Sequence, residues 1–188
     1  TSPVGQAASP ELSADGSWLL YVHTHEDVDA LVLAQVNGER EPVRLVRGAD
    51  FYMQPVWHPA GDRIAWVEWD HPNMPWDETR LKMANLKSNP PSVQEVITIA
   101  GGQKSVVFQP AFSPDGLWLS YIFSEGEWDK LCLLNLKTGQ KEILVEGCVL
   151  ALPAWVQGMR VYGWSPDSRK IYYLRNECGF ASLWVIDV

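Results

Sequence analysis

The 188-residue chain is short of several things that would otherwise direct its reading. Lysine and arginine number 15 against 23 acidic residues, a formal net charge of −8. A phosphate-binding surface needs a basic face, so nucleic acid is not expected as a partner. No run reaches the roughly 18 apolar residues of a membrane-spanning helix, and no signal peptide opens the sequence, so no membrane partner is expected. The three cysteines, Cys132, Cys148 and Cys178, are odd in number and lack C-x-x-C spacing. They read as free thiols of a reducing, cytoplasmic compartment rather than as a disulfide framework. Phosphate-loop, dinucleotide and H-E-x-x-H motifs are missing, as is the five-oxygen spacing of a calcium loop, so neither cofactor nor metal is expected. The first residue is Thr1 rather than methionine, which leads us to expect a piece of something longer.

What is present is a hydrophobic content of 46% with ten tryptophans, enough for a packed core, and a repeat. Four segments align without a gap over fourteen positions: SPELSADGSWLLYV from Ser9, QPVWHPAGDRIAWV from Gln54, QPAFSPDGLWLSYI from Gln109 and VYGWSPDSRKIYYL from Val161. One column is bulky and apolar (Leu12, Trp57, Phe112, Trp164), and another is aromatic (Tyr21, Trp66, Tyr121, Tyr173). Between them lies Asp15-Gly16, Gly61-Asp62, Asp115-Gly116 or Asp167-Ser168. Aspartate and glycine supply the side-chain bond and the positive φ of a tight turn, so each segment predicts a hairpin. Pro10, Pro55 and Pro110 cannot donate to a ladder, which places the first strand of each hairpin at a sheet edge.

A third strand follows nine residues after Val22, Ile122 and Leu174, at Leu31, Leu131 and Leu183. Fourth strands are expected at PVRLV, VQEVITI and KEILV. Each unit is then a four-stranded antiparallel meander, and the units begin about 45, 55 and 52 residues apart, the blade period of a β-propeller. The fold class expected is all-β, a β-propeller region over 1–188 with blades at 9–46, 54–99, 109–145 and 161–188. Regular recurrence favours blades over a β-sandwich. The last unit stops after its third strand. The N-terminal TSPVGQAA could supply the missing strand and close a four-bladed ring, but its proline and glycine make it a poor strand. Part of a larger propeller is the favoured expectation, and uncovered terminal blade faces would invite self-association.

The second unit departs from the spacing. From Val67 to Leu81 is fourteen residues, five more than in its siblings, and the excess is the stretch WDHPNMPWD from Trp69. Insertions on a rigid repeat scaffold commonly carry function. Pro72 and Pro75 stiffen the loop; Trp69 and Trp76 offer apolar area with a donor at the rim. Two readings stand: the tryptophans fold back as a local core, or the loop is a contact surface built from Trp69, Asp70, His71, Asn73, Trp76 and Asp77. Among the remaining polar residues, His23 and His25 with Glu26 and Asp27 read as a solvated loop rather than a metal site. His58, in the serine column, reads as a turn-stabilising hydrogen bonder. Asp27, Asp29 and Glu125-Gly126-Glu127 read as solvated blade-edge loops.

The stretch from Phe51 to Leu81, preceded by Asp50 and containing WDHPNMPWD, resembles the propeller segment of bacterial serine peptidases of the prolyl oligopeptidase family, in their dipeptidyl- and acylaminoacyl-peptidase-like branch. QPAFSPDG from Gln109 and PAWVQGMRVY from Pro153 are similar too. The resemblance implies a parent in which a propeller restricts access of large substrates to a Ser-His-Asp triad in an α/β-hydrolase domain. No G-x-S-x-G elbow stands in this chain; the nearest string, Gly163 to Asp167, has aspartate in place of the second glycine. No catalytic residue is therefore carried over, and no motif places the family's acids that bind a peptide N-terminus. The expected role is a noncatalytic one: gating and orienting peptide substrates and docking the hydrolase domain. The alternatives are a stand-alone, TolB-like protein-binding propeller and, more remotely, a small-molecule hydrolase with its site in the channel.

Overall fold

The computed structural model describes residues 4–88, 91–150 and 154–188. Its fifteen strands form four antiparallel sheets, each a meander in sequence order. The first sheet holds β1 (Gln6–Leu12), β2 (Trp18–His25), β3 (Val28–Gln35) and β4 (Val43–Val46). The second holds β5 (Phe51–Trp57), β6 (Arg63–Trp69), β7 (Arg80–Ser88) and β8 (Pro91–Gly101). The third holds β9 (Val106–Phe112), β10 (Trp118–Ser124), β11 (Asp129–Asn135) and β12 (Lys141–Cys148). The fourth holds β13 (Tyr162–Trp164), β14 (Lys170–Glu177) and β15 (Phe180–Asp187). No helix occurs among the described residues, and the sheets are propeller blades.

The prolines do what their chemistry requires. Pro10, Pro55 and Pro110 lie in β1, β5 and β9, each the edge strand of its sheet. The residue before each proline, Ser9, Gln54 or Gln109, has φ near +50°, and the ladder register slips there. The innermost strand of each of the first three blades is thus a bulged strand whose first half lies N-terminal to the repeat read from sequence. This is why β1 begins at Gln6. Gln6, Ala7 and Ala8 pair with Thr24, His23 and Val22, so they complete the first blade and do not serve as the fourth strand of the last. Thr1, Ser2 and Pro3 lie outside the described residues.

The turns recur atom for atom. Gly16, Gly61, Gly116 and Ser168, with φ between 60° and 73°, donate their backbone N–H to the carbonyls of Ser13, His58, Ser113 and Ser165. Ser13, Ser113 and Ser165 each donate to the aspartate two residues on, at 2.6 Å, and accept from the first residue of the next strand at 2.9 Å. In the second blade Ala60 replaces that aspartate, and the His58 ring takes its place, Nδ1 accepting the N–H of Ala60 at 3.2 Å. These bonds hold Asp15 low, from 3.8 to about 2, chiefly through the Ser13 hydroxyl.

Period-two alternation sends one face of each strand into an interface between blades. Leu20, Val22, Leu31 and Leu33 of the first blade meet Tyr52, Ile64, Trp66 and Ala84 of the second. The other face of the second blade (Met53, Val67, Trp69, Leu81) joins Leu119, Ile122, Leu131 and Leu133 of the third and Ile171 and Tyr173 of the fourth. Burying one such leucine is worth about 1.5–3 kcal/mol. Polar locks stitch the same interfaces. Oε1 of Gln54 accepts the N–H of Gln109, and Oε1 of Gln109 accepts the N–H of Val161, both at 2.7 Å. The two glutamines are buried, so each links the bulge of its own blade to the same column of the next.

The fourth blade differs. Val149 bridges to Asn176 and Leu150 is buried, as the start of an innermost strand would be. The strand resumes only at Tyr162. Residues 154–161 carry no strand.

Candidate functional site

The tryptophan-rich loop connects β6 to β7, and its base is tied down residue by residue. Trp69, the last residue of β6, is buried and stacks on Phe51 with ring centroids 5.1 Å apart. His71 meets the same Phe51 ring edge-on at 4.7 Å. Asp50 and the loop clasp each other: Asp70 Oδ1 accepts the N–H of Asp50 at 3.1 Å, and Asp50 Oδ2 accepts the N–H of His71 at 2.8 Å. Oδ2 of Asp70 receives Nη2 of Arg80 at 2.5 Å. That hydrogen bond holds the Asp70 carboxyl below the usual carboxylate range. Arg80 Nε also lies 3.6 Å from Glu68, whose other oxygen accepts Trp66 Nε1 at 2.8 Å. Lys82 approaches Glu68 at 3.7 Å, so two acids and two bases balance at the foot of the loop.

The tip is closed by its own turn. Asp77 Oδ2 accepts the N–H of Met74, and the Asp77 N–H returns to the Met74 carbonyl, both at 2.9 Å. Pro75 is buried beneath the turn and Asn73 is half-buried. Met74 and Trp76 remain outside, 47% and 43% exposed. Behind the loop, Glu78 accepts the N–H of Lys104 at 2.9 Å. The structure therefore separates the six expected residues. Trp69, Asp70 and His71 anchor the base, while Trp76 and Asp77 lie exposed at the tip.

Several sequence expectations are corrected. His23 is not in a solvated loop: it is a buried residue of β2 whose ring stacks on His25 with centroids 6.3 Å apart. Alternation along a strand puts both on one face, and burial follows from β1 lying alongside. Asp29 is not a solvated edge residue either. It stands in β3, accepts the Thr24 hydroxyl at 2.5 Å and approaches the N–H of Tyr52 at 3.4 Å. Glu125, Gly126 and Glu127 are exposed. His58 bonds within its turn, to the N–H of Ala60 at 3.2 Å, and its other ring nitrogen lies 3.0 Å from the carbonyl of Gly116 in the next blade. Among the described residues no cluster of three or more His, Cys, Asp or Glu could hold a metal. Cys132 and Cys148 are buried and Cys178 exposed, all free; burial pushes the Cys132 thiol up to about 11.

Ser165, the serine of the string nearest to a nucleophile elbow, is buried and occupied with Asp167 and the N–H of Lys170. It is a turn residue. The second blade's loop presents Met74, Trp76 and Asp77 as an exposed, turn-closed surface.

The comparisons bear on whose surface it is. The fold matches a puromycin-hydrolyzing peptidase of Mycobacterium tuberculosis with a TM-score of 0.85 and 26% identity, over 97% of this chain and 30% of that one. The match runs along the propeller portion of prolyl oligopeptidase-family peptidases. A puromycin hydrolase matches similarly, with a TM-score of 0.83 and 25% identity over 99% of this chain and 30% of that one. The chain thus spans under a third of the length of these peptidases. TolB of Acinetobacter baumannii, with a TM-score of 0.69 and 16% identity over 97% of this chain and 41% of that one, shares the architecture. No family model and no curated protein matches the sequence. No helix among the described residues is long and apolar enough to cross a membrane.

Sequence reading missed the segment between Leu150 and Val161. PAWVQGMRVY figured only as a similar stretch, and its Pro153 lies outside the described residues. The signal available was spacing: the gap from Val145 to Val161 exceeds the gaps from Val46 to Gln54 and from Ile99 to Gln109.

Proposed function

We propose that this chain is the noncatalytic propeller portion of a serine peptidase, and that it gates and orients peptide substrates and docks an α/β-hydrolase domain supplied by the parent protein. One observation carries the reading: 97% of the chain superposes on less than a third of a puromycin-hydrolyzing peptidase at 26% identity, while the string nearest to a serine elbow is a blade turn. The contact surface is the β6–β7 loop, with Trp76 and Asp77 at its tip and Trp69, Asp70, His71 and Asn73 holding it. Two buried free thiols agree with a reducing, cytoplasmic compartment.

The likeness to TolB, at 16% identity, concerns architecture and leaves the stand-alone binding propeller as the competing reading. The open reading frame past Val188 decides between them. The peptidase reading expects further blade repeats and a G-x-S-x-G elbow. A frame that closes its blades and stops without that elbow defeats it. On its own, the 188-residue chain is expected to turn over neither ester nor peptide substrates.

A further inference from the structure

The chain between the third and fourth blades reaches residues that neighbour-to-neighbour packing does not bring together. Each blade packs on the next in order, and the first and last blades share neither of the two hydrophobic cores. Yet Gln157 accepts the Ser9 hydroxyl at 2.6 Å, in the first blade, and donates Nε2 to the Tyr52 carbonyl at 2.9 Å, in the second. Gln54 of the second blade donates to the carbonyl of Met159 at 3.1 Å. Arg160 meets Glu11 of the first blade at 2.8 Å. All four blade residues belong to the innermost strands β1 and β5. A segment that leads into the fourth blade and ends on the innermost strands of the first and second lies on the inner, axial side of the sheets.

We propose that residues 157–160 form an axial latch that fastens the first blade to the fourth. Its contacts are hydrogen bonds and one half-exposed ion pair, with no buried apolar side chain among them. Such contacts exchange for water without opening a core, and each net hydrogen bond is worth a factor of roughly two to ten in an equilibrium constant. The latch therefore releases while both cores stay intact, and the first blade then swings on its single interface with the second. Blade-to-blade cohesion in such an array is chiefly a nearest-neighbour property; the latch adds a long-range tie.

Amide hydrogen exchange on the 188-residue protein tests this. In the double variant Gln157→Ala with Arg160→Ala, protected amides of β1 and β2 are expected to exchange roughly tenfold faster than in the parent, while those of β10 and β11 keep their rates. Trp155→Ala changes a residue of the same segment that is 75% exposed and makes none of these bonds; it is expected to leave β1 and β2 unchanged. Unchanged rates in the double variant overturn the latch, as does an equal acceleration in all four blades or an effect of Trp155→Ala as large as that of the double variant. Should the double variant fail to fold, Arg160→Gln removes only the half-exposed ion pair. It is then expected to speed β1 and β2 alone, by a smaller factor that vanishes in high salt, and no such local effect overturns the proposal.

Discussion

Asp29, Thr79 and Asp129 stand two residues before Leu31, Leu81 and Leu131. Each holds a backbone N–H of the chain that follows its own blade. Asp29 approaches the N–H of Tyr52 at 3.4 Å, Thr79 Oγ1 accepts that of Val107 at 2.6 Å, and Asp129 accepts that of Leu150 at 2.8 Å. Thr79 also donates to the Val107 carbonyl at 2.9 Å and is fully buried. Thr79→Val keeps the shape and removes both bonds, leaving a buried N–H and a buried C=O without that partner. A buried group left unsatisfied costs about 1–3 kcal/mol, so Thr79→Val is expected to lower the urea midpoint by that order, with Thr79→Ser recovering most of it. A Thr79→Val midpoint equal to that of the parent would remove the hydroxyl from the interface. Sequence alone did not disclose this column. Aspartate and threonine share no hydropathy signal, and the partner of each lies in another blade. Asp29 read as a solvated acid for that reason.

Among the elements, the hairpins were the most legible, because a turn is a local device. Asp15-Gly16 and Asp115-Gly116 state their own geometry, and Pro10, Pro55 and Pro110 state which strand is the edge. The extra half-strand before each proline was not legible: a bulge hides its register, and in the first blade Ala7-Ala8 carries neither β-branching nor alternation. The β6–β7 loop was legible as an insertion but not in its division of labour. Trp69 lies against Phe51 because strand pairing sets them opposite each other, whereas Trp76 sits on a turn closed by Asp77. Trp69→Ala empties a packed position and is expected to destabilise by about 3–5 kcal/mol. Trp76→Ala changes an exposed side chain and is expected to stay within about 0.5 kcal/mol. Urea unfolding of the two variants measures both. A Trp76→Ala loss as large as that of Trp69→Ala would make the tip part of the core and leave the loop without its main contact residue.

For the molecule as a whole, the second blade belongs to two cores at once. Its Tyr52, Ile64 and Trp66 face the first blade, and its Met53, Val67 and Leu81 face the third. Stability in such an array is a sum over neighbouring interfaces, so the position of a cavity decides what unfolds. Leu31 and Leu131 are both fully buried, in the same column of the first and third blades, and replacing either by alanine costs about 2–5 kcal/mol. Leu31→Ala weakens only the interface of the first blade, while Leu131→Ala weakens the core shared by the other three. Cys132 and Cys148 lie in that shared core and report its opening by thiol labelling, after Cys178 has reacted at once from its exposed turn. In Leu31→Ala, circular dichroism is expected to lose the first blade at urea concentrations where the two thiols stay protected. In Leu131→Ala the two signals move together. Coincident transitions in both variants would mean that the four blades unfold as one unit, with the latch and the glutamine locks coupling them more strongly than the cores divide them.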